Sequence, residues 1–294
     1  MKKFFGLILI AIVGASIYLA WDLTQNPDIA IDEVGSTVTS GIQSQTEIID
    51  TEEPQGDELF SFLVFGDNQG NEPLLARIVE SASSDDIDFV VNLGDSAEDG
   101  KEESFKAFFE GTKGLPKPMY SVTGNHDIGV DGTLNLFYQY IYANHYYSWT
   151  YENRHFITLY NVGQSALLDE QLDWLEHELD QNSDKAVILF MHKPIDVPFG
   201  EFVGYDTNIP EKRVTRFRSI LNSRENIEHI YAGHAHAYLH YFIENIPVTV
   251  SGGGGAPMID TSFLSEDPGH HFLVIRAYET GLVEEVVPIG QTSQ

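Results

Sequence analysis

Short apolar runs recur along the chain from residue 59 onward, and each run stops at a glycine or a polar residue. Such runs are typical of strands that are buried on both faces of a sheet. Helix-like segments separate them, and this alternation predicts a largely parallel sheet with its functional residues at the carboxyl edge. In the first half, the predicted strands are Phe60–Phe65, Phe89–Leu93 and Pro118–Tyr120, and the predicted helices are Leu74–Ala82 and Glu102–Glu110.

The second half begins with a tyrosine-rich segment, residues 134–151, which is expected to form a cap or lid. Within and after it, the pattern predicts an antiparallel pair of strands, Tyr147–Tyr151 and His155–Tyr160. Leucines 168, 172, 175 and 179 lie on one face of a predicted helix that includes Asp169–Glu176. Then come strand Ala186–Phe190, helix Glu211–Asn222, strand Ile227–Tyr231 and four strands expected to close the domain as a second sheet: Tyr241–Ile243, Pro247–Val250, Phe272–Ala277 and Leu282–Pro288.

The first 58 residues carry a different pattern, which predicts two segments outside a globular domain at 59–290. The uncharged segment Phe4–Trp21 follows two lysines and suits either a signal peptide or a membrane span, so the remainder is expected outside the cytoplasm, membrane-anchored or secreted. For cleavage after Ala20, Tyr18 would occupy a position that needs a small residue, which favours an uncleaved anchor at 1–21. Residues 22–58 contain ten acidic residues and no lysine or arginine, which predicts a flexible acidic linker.

Charge and composition narrow the possible functions. Across 294 residues, 45 acidic and 16 basic side chains give a net charge of −29. Such a surface repels polyanions, so stable nucleic-acid binding is not expected, whereas a bound metal would reverse the charge locally for a small anionic substrate. The chain has no cysteine, which excludes disulfides, thiolate metal sites and cysteine nucleophiles.

Residues that can bind metals follow five of the predicted strands. Taken singly, an aspartate or asparagine there is most often a helix cap or turn residue, and a lone histidine is most often buried and hydrogen-bonded. Taken together, oxygen and imidazole ligands at five strand ends predict one site that suits Mn²⁺, Fe or Zn²⁺ better than Ca²⁺. The residues are Asp67 with Gln69, Asp95, Asn125 with His126 and Asp127, His192, and His234 with His236.

In this order the motifs resemble the calcineurin-like metallophosphoesterase superfamily over residues 59–288. The matching motifs are Gly-Asp-x-x, Gly-Asp, Gly-Asn-His-Asp, a lone histidine after a strand, and Gly-His-x-His. The resemblance implies an α/β fold, a four-layer α-β-β-α sandwich of two mixed sheets. It also implies two divalent metal ions that are bridged by one aspartate and by a hydroxide, which is the nucleophile.

The resemblance also implies a role for each motif residue of this chain. Asp67 and His236 would bind the first metal, Asn125, His192 and His234 would bind the second, and Asp95 would bridge them. His126 would face the leaving group, and Asp127 would orient and polarise its ring. One position departs from the usual Asp-x-His, because Gln69 stands where histidine is common. Its carbonyl oxygen would be a weaker ligand and would favour Mn²⁺ or Fe²⁺, with Zn²⁺ a further possibility.

Several neighbouring residues are expected to be structural. Lys193, beside a proline, is expected at the surface, and His270 and His271 are expected to support the strand that follows them. Gly252–Gly255 precede no helix, which predicts a flexible turn near the site and not a nucleotide-phosphate loop. Aromatic-rich residues 135–147 and 195–209 are expected to form the walls of the cleft.

These features predict a metal-dependent hydrolase of small phosphate esters, either a phosphodiesterase or a phosphomonoesterase. The purple acid phosphatases, a related branch, have a metal-binding tyrosine after the second aspartate motif, and residues 96–99 (Ser, Ala, Glu, Asp) contain none. An alternative, motivated by Gln69 alone, is a catalytically impaired domain that serves as an extracytoplasmic interaction scaffold. The metal content distinguishes the two, because fewer than two ions per chain without turnover would favour the scaffold.

Overall fold

Strands and helices alternate along the chain much as the apolar pattern predicts. The computed structural model describes residue 54 and residues 56–197, 208–259 and 268–290, all in the unit Pro54–Gln294. In chain order its strands are β1 (Glu58–Phe65), β2 (Phe89–Asn92), β3 (Met119–Ser121), β4 (Tyr147–Tyr151), β5 (Arg154–Thr158), β6 (Ala186–Met191), β7 (Ile227–Ala232), β8 (Tyr238–Ile243), β9 (Ile246–Ser251), β10 (His271–Tyr278) and β11 (Gly281–Pro288). Its helices are α1 (Glu72–Ala82), α2 (Glu102–Thr112), α3 (Asn135–Tyr140), α4 (Asp169–Gln181) and α5 (Glu211–Asn222).

The strands form two mixed sheets. One has the order β11-β10-β1-β2-β3, and the other has the order β4-β5-β6-β7-β9-β8. In the first sheet β1, β2 and β3 are parallel, and β10 and β11 are antiparallel to their neighbours. In the second sheet β5, β6, β7 and β9 are parallel, and β4 and β8 are antiparallel edge strands. The predicted fold class, two mixed sheets in an α/β domain, is therefore confirmed.

The prediction that the last four strands form a second sheet of their own is wrong. β8 and β9 extend the sheet that contains β7, whereas β10 and β11 cross to the first sheet and pair with β1. β1 is buried along most of its length, so an unpaired edge would leave its backbone polar groups without partners. β10 satisfies that edge, a long-range pairing that apolar periodicity does not reveal.

Apolar layers explain why the helices lie outside the sheets. The core between the sheets contains aromatic rings from both, and the ring of Phe62 stacks on Phe89 at 4.9 Å and meets Phe156 edge-on at 5.8 Å. A second apolar cluster covers the outer face of the first sheet with α1 and α2, and a third covers the outer face of the second sheet with α4 and α5. The layers follow the predicted α-β-β-α order. The carboxyl ends of the parallel strands lie at one edge of these layers.

A buried arginine also joins the two sheets. Arg154 of β5 is 1% exposed, and its guanidinium donates to Glu228 of β7 through Nε at 2.7 Å and Nη2 at 3.0 Å. Nη2 also donates to the carbonyl oxygens of Tyr278 and Gly281, at 2.9 Å and 3.1 Å, in the hairpin between β10 and β11. One side chain therefore holds the end of the first sheet against the second.

Some sequence predictions fall wholly or partly outside the described residues. They are the anchor at 1–21, most of the linker at 22–58, and residues 198–207 of one predicted cleft wall. β1 begins at Glu58, the last residue assigned to the linker. Within residues 54–290 as described, no helix is both long and apolar enough to cross a membrane. In the tyrosine-rich segment, α3 packs Phe137 against Phe105 of α2.

Candidate metal centre

All of the predicted ligands meet at the carboxyl edge of the two sheets. They form two groups, and in each group the ligand atoms lie within 4.8 Å of one another. The first group is Asp95, His192 and His234, and the second is Asp67, Asp95 and His236. Asp95 belongs to both groups. This arrangement fits a pair of neighbouring cations that share one carboxylate.

Two amide side chains complete the groups. Oδ1 of Asn125 lies 3.1 Å from Nε2 of His192, beside the first group. Nε2 of Gln69 lies 3.0 Å from Oδ2 of Asp95 and 3.2 Å from Nε2 of His236, within the second. Every residue that the sequence singles out as a ligand is therefore present at the centre.

Left-handed backbone turns bring these side chains together. The φ angles are positive at Asp67 (59°), Gln69 (46°), Asp95 (53°), His234 (68°) and His236 (44°). Residues other than glycine rarely adopt this conformation, and it is commonly found at functional sites where the surrounding structure enforces it. The turns at both histidines explain how residues two apart can serve one site, although alternate residues of an extended strand point to opposite faces.

Two glycines allow the loops to approach this closely. A Cβ atom at Gly124 would overlap the backbone nitrogen and Oδ1 of Asp95, and one at Gly233 would lie 2.6 Å from Oδ2 of Asp67. The Gly252–Gly255 turn is buried, and its backbone binds the loop after β1, with the nitrogen of Gly254 donating to Gly66 at 2.9 Å. The predicted turn near the site therefore forms part of its packed wall.

Hydrogen bonds behind the histidine rings fix which nitrogen faces the centre. Nδ1 of His192 donates to the carbonyl oxygen of Leu93 at 2.9 Å, which directs Nε2 to Asp95 Oδ1 at 3.3 Å. Nδ1 of His236 donates to the carbonyl oxygen of Pro257 at 3.2 Å, which directs Nε2 to Asp67 Oδ1 at 3.6 Å. Such contacts orient metal-binding imidazoles.

Burial and charge shift the pKa values of the central groups. Burial raises the pKa of Asp67 to about 8, although the charge of His192 opposes the shift. Burial also disfavours ionisation of Asp95, but the charges and hydrogen bonds of His192 and His126 together hold the pKa of Asp95 below its usual range. Burial lowers the pKa of His192, but the charge and hydrogen bond of Asp95, the charge of Asp67 and the Leu93 carbonyl together raise it to about 9. Asp67 and His192 therefore favour their protonated forms, and a divalent cation would displace these protons on binding.

The predicted contact between Asp127 and the His126 ring is wrong. Asp127 is fully buried, and its carboxylate accepts hydrogen bonds from the backbone nitrogens of Ala97 and Gly124, both at 2.9 Å. The His126 ring is 40% exposed, and its Nδ1 is bound by the carbonyl oxygen of Glu98. The two side chains diverge because successive residues of this turn project in different directions, so Asp127 supports the loop and Glu98 orients the ring.

Sequence reasoning missed Asn161 and misjudged Lys193. Asn161 is fully buried directly after the predicted strand His155–Tyr160, and its Oδ1 accepts from the backbone nitrogens of His192 at 3.1 Å and Lys193 at 3.0 Å. A polar residue just after a strand, the signal used for the ligands, could have identified it. The prediction of a surface position for Lys193 is wrong, because Asn161 binds its backbone below the surface and the residue is buried.

A sequence model of the family described as calcineurin-like phosphoesterase matches residues 60–238, a range that includes both ligand groups. The chain belongs to the calcineurin-like phosphoesterases. Membership confirms the predicted superfamily, a class of phosphoesterases. The donor set fits the metals that this class uses, because carboxylate, amide and imidazole ligands converge in two overlapping groups.

Relatives of this calcineurin-like phosphoesterase carry phosphodiesterase names. It is 28% identical to a probable glycerophosphodiester phosphodiesterase, GpdQ, of Arcobacter nitrofigilis over 165 residues, which cover 51% of this chain and 56% of the relative. It is 25% identical to a probable cyclic nucleotide phosphodiesterase of Fibrobacter succinogenes over 173 residues, which cover 58% of this chain and 66% of the relative. The matches thus span about half to two thirds of these relatives.

A solved structure supports the fold. The crystal structure of a dimetal phosphatase from Danio rerio is similar with a TM-score of 0.59 and 16% identity, covering 78% of this chain and 96% of that chain. At this identity the likeness concerns the arrangement of the sheets and helices. It confirms the predicted calcineurin-like phosphoesterase fold.

Proposed function

We propose that this chain hydrolyses small phosphodiesters with two divalent metal ions held on either side of Asp95. The observation that carries the proposal is the pair of ligand groups that share this carboxylate. Two cations a few ångströms apart neutralise the oxygens of a phosphate ester and supply a hydroxide nucleophile near neutral pH. The names of two relatives support a diester over a monoester.

The proposed ligand roles follow the two groups. Asp67, Gln69 and His236 would hold one ion, Asn125, His192 and His234 would hold the other, and Asp95 would serve both because it belongs to both groups. The many oxygen donors favour Mn²⁺ or Fe²⁺, with Zn²⁺ as a third candidate. Gly124 and Gly233 let the loops close around this arrangement, because a Cβ at either position would meet Asp95 or Asp67.

His126 is proposed as the residue that protonates the leaving group. Its Nε2 lies 4.0 Å from Oδ2 of Asp95, and its ring is partly exposed, so the same imidazole reaches both the centre and the solvent. A protonated Nε2 can give its proton to a departing alkoxide. The Glu98 carbonyl, which binds Nδ1, keeps the ring in this orientation.

A small diester also suits the charge of the protein. A diester carries one negative charge, which two divalent ions balance without an additional basic clamp, whereas a long polyanion would be repelled by a chain of net charge −29. The uncharged segment Phe4–Trp21 supports a location outside the cytoplasm, either tethered to the membrane or secreted. The intact ligand set weighs against the scaffold alternative.

Hydrolysis of an aryl phosphodiester and the matching aryl phosphomonoester by the full-length chain tests the proposal. Each substrate is assayed with Mn²⁺, Fe²⁺ and Zn²⁺ after removal of bound metal. We expect turnover that depends on metal, with a kcat/KM for the diester about tenfold or more above that for the monoester. A tenfold ratio corresponds to about 1.4 kcal/mol of additional transition-state stabilisation for the diester. A faster monoester would overturn the choice of substrate, and metal-independent turnover would overturn the proposal as a whole.

A further inference from the structure

The part of the centre formed by Asn125, His192 and His234, here the histidine half, is already arranged around a common point. Nε2 of His192 lies 3.1 Å from Oδ1 of Asn125, 3.1 Å from Nδ1 of His234 and 3.3 Å from Oδ1 of Asp95. The Leu93 carbonyl fixes the His192 ring from behind. An ion that binds here meets these four atoms in their present positions, and no side chain has to turn.

The part formed by Asp67, Gln69 and His236, here the glutamine half, is blocked by one of its own residues. The amide nitrogen of Gln69 lies between Asp95 Oδ2 at 3.0 Å and His236 Nε2 at 3.2 Å, and it donates to both. An amide N–H cannot bind a cation, since only the carbonyl oxygen has a lone pair to offer. An ion that binds here has to displace the amide, which must turn over to present its oxygen.

Asp67, the remaining ligand of the glutamine half, is fixed by hydrogen bonds and cannot move to take the place of the Gln69 amide. Both carboxylate oxygens of Asp67 accept from the backbone nitrogen of His234, at 3.0 Å and 2.8 Å. Gly233 and Gly252 enclose the same carboxylate. His234 therefore connects the halves, because its ring belongs to one and its backbone fixes the carboxylate of the other.

From this difference we propose that the centre loads in a fixed order, with the first ion bound tightly in the histidine half and the second bound more weakly in the glutamine half. Binding of the second ion breaks the Gln69 hydrogen bonds to a charged carboxylate and an imidazole. This loss raises the Kd of the second ion by about tenfold or more, as expected from the contribution of hydrogen bonds to charged groups. The inference rests on the proposed function only in that both need two ions. When the metal concentration is enough to fill only the tighter site, each chain then holds a single ion, in the histidine half.

Titration of the chelator-treated, full-length chain in detergent with Mn²⁺ tests the order. Free Mn²⁺ is followed by electron paramagnetic resonance and heat release by calorimetry, both without substrate. We expect two classes of site whose Kd values differ by about tenfold or more. In Gln69→His, which puts an imidazole where the amide blocks the site, we expect the two Kd values to approach each other to within about threefold.

Two further variants assign the sites. His236→Ala should lose the weakly bound ion and keep the tightly bound one. Gln69→Glu keeps the side-chain length and should lower the Kd of the weak site. This second variant tests the assignment independently if His236→Ala does not fold. Gln181→His adds one exposed imidazole at the end of α4 and should match the wild type, so it controls for binding by an extra histidine.

Equal Kd values in the wild type, an unchanged ratio in Gln69→His and Gln69→Glu, or loss of the tight ion in His236→Ala would each overturn the proposed order. These results are separate from those for the proposed function, because ions are counted without turnover. Stepwise loading without hydrolysis would refute only the function. Hydrolysis with two equal sites would refute only the order.

Discussion

The side-chain amide of Asn161 binds the backbone of His192 and Lys193, in the loop after β6. Its Oδ1 accepts from the nitrogen of His192 at 3.1 Å, and its Nδ2 donates to the carbonyl oxygen of Lys193 at 2.6 Å. The His192 carbonyl oxygen in turn accepts from the nitrogen of Gly233 at 2.9 Å. The end of β5 thereby fixes the loop after β6, and that loop is bound to the loop after β7.

Replacement of this amide should weaken the centre without removing a ligand. In Asn161→Ala, His192 loses the contact that holds its backbone, and we expect metal affinity and kcat/KM to fall by about 10- to 100-fold, the range for residues that support a metal ligand. Calorimetry with Mn²⁺ and the diester assay measure the two effects. Asn222→Ala, exposed at the end of α5, serves as the control and should leave both unchanged.

The close approach of Gly124 to Asp95 predicts that even a methyl group disrupts the site. Gly124→Ala should lower kcat/KM by about 100-fold, because a Cβ at this position overlaps the backbone nitrogen and Oδ1 of Asp95 and moves the shared carboxylate. Gly114→Ala is the matched control, since a Cβ there meets nothing within 4 Å. Comparable activity in the two variants would show that the loop tolerates the shift.

The buried ion pair between Arg154 and Glu228 should contribute to stability and not to chemistry. Arg154→Met leaves Glu228 and two backbone carbonyl oxygens without their donor, and we expect the free energy of unfolding to fall by about 3 to 5 kcal/mol. Urea unfolding measures this loss, and kcat should stay near the wild-type value at a temperature where the variant is folded. Arg276→Met removes an exposed pair with Glu58 and should cost less than about 1 kcal/mol.

A largely buried carboxyl group between the sheets should make stability depend on pH. Glu284 of β11 accepts from the hydroxyls of Tyr238 at 2.8 Å and Thr249 at 3.0 Å, and Nε2 of His240 lies 3.4 Å from its Oε1. Burial raises the pKa of Glu284 to about 7 from the ordinary 4.5. Between these two pH values the folded chain keeps a proton that the unfolded chain releases. The contribution of Glu284 to stability therefore falls as the pH rises from about 4.5 to about 7, by up to about 3 kcal/mol.

Glu284→Gln removes this contribution while it keeps the shape of the side chain. Its free energy of unfolding, measured in urea across that pH range, should lack the part of the decline that the carboxyl group causes. Glu285→Gln, exposed on the same strand, should retain the wild-type decline. Parallel curves for all three proteins would show that Glu284 titrates normally in the folded chain.

Much of the secondary structure could be predicted because local periodicity determines it. The predicted helix Glu211–Asn222 and strand Tyr147–Tyr151 have the observed bounds, and the polar strand ends indicated where the ligands gather. The location of β10 and β11 in the first sheet could not be predicted this way. That choice depends on which buried edge needs a partner, here β1, and such a need is set by the assembled fold.

The candidate site shows a similar division. Residue type and order were enough to predict that Asp95 and His192 meet at one site. The directions of neighbouring side chains could not be predicted in this way, because they depend on backbone turns. Asp127 binds backbone nitrogens and not the ring of His126, and the φ angles of His234 and His236 let both reach the centre. Left-handed turns are uncommon at residues other than glycine, and residue type alone does not determine where they occur.

Metal content and diester hydrolysis, measured together for the wild type and Asp95→Ala, test the central claim most directly. Asp95 is the carboxylate common to both ligand groups, so its loss should leave fewer than two ions per chain and abolish detectable turnover of an aryl phosphodiester. Asp85→Ala, an exposed aspartate in the turn after α1, should behave as the wild type. A wild-type chain with two ions per chain and metal-dependent turnover is the predicted result. Full activity in Asp95→Ala, or a wild type with fewer than two ions and no turnover, would contradict it.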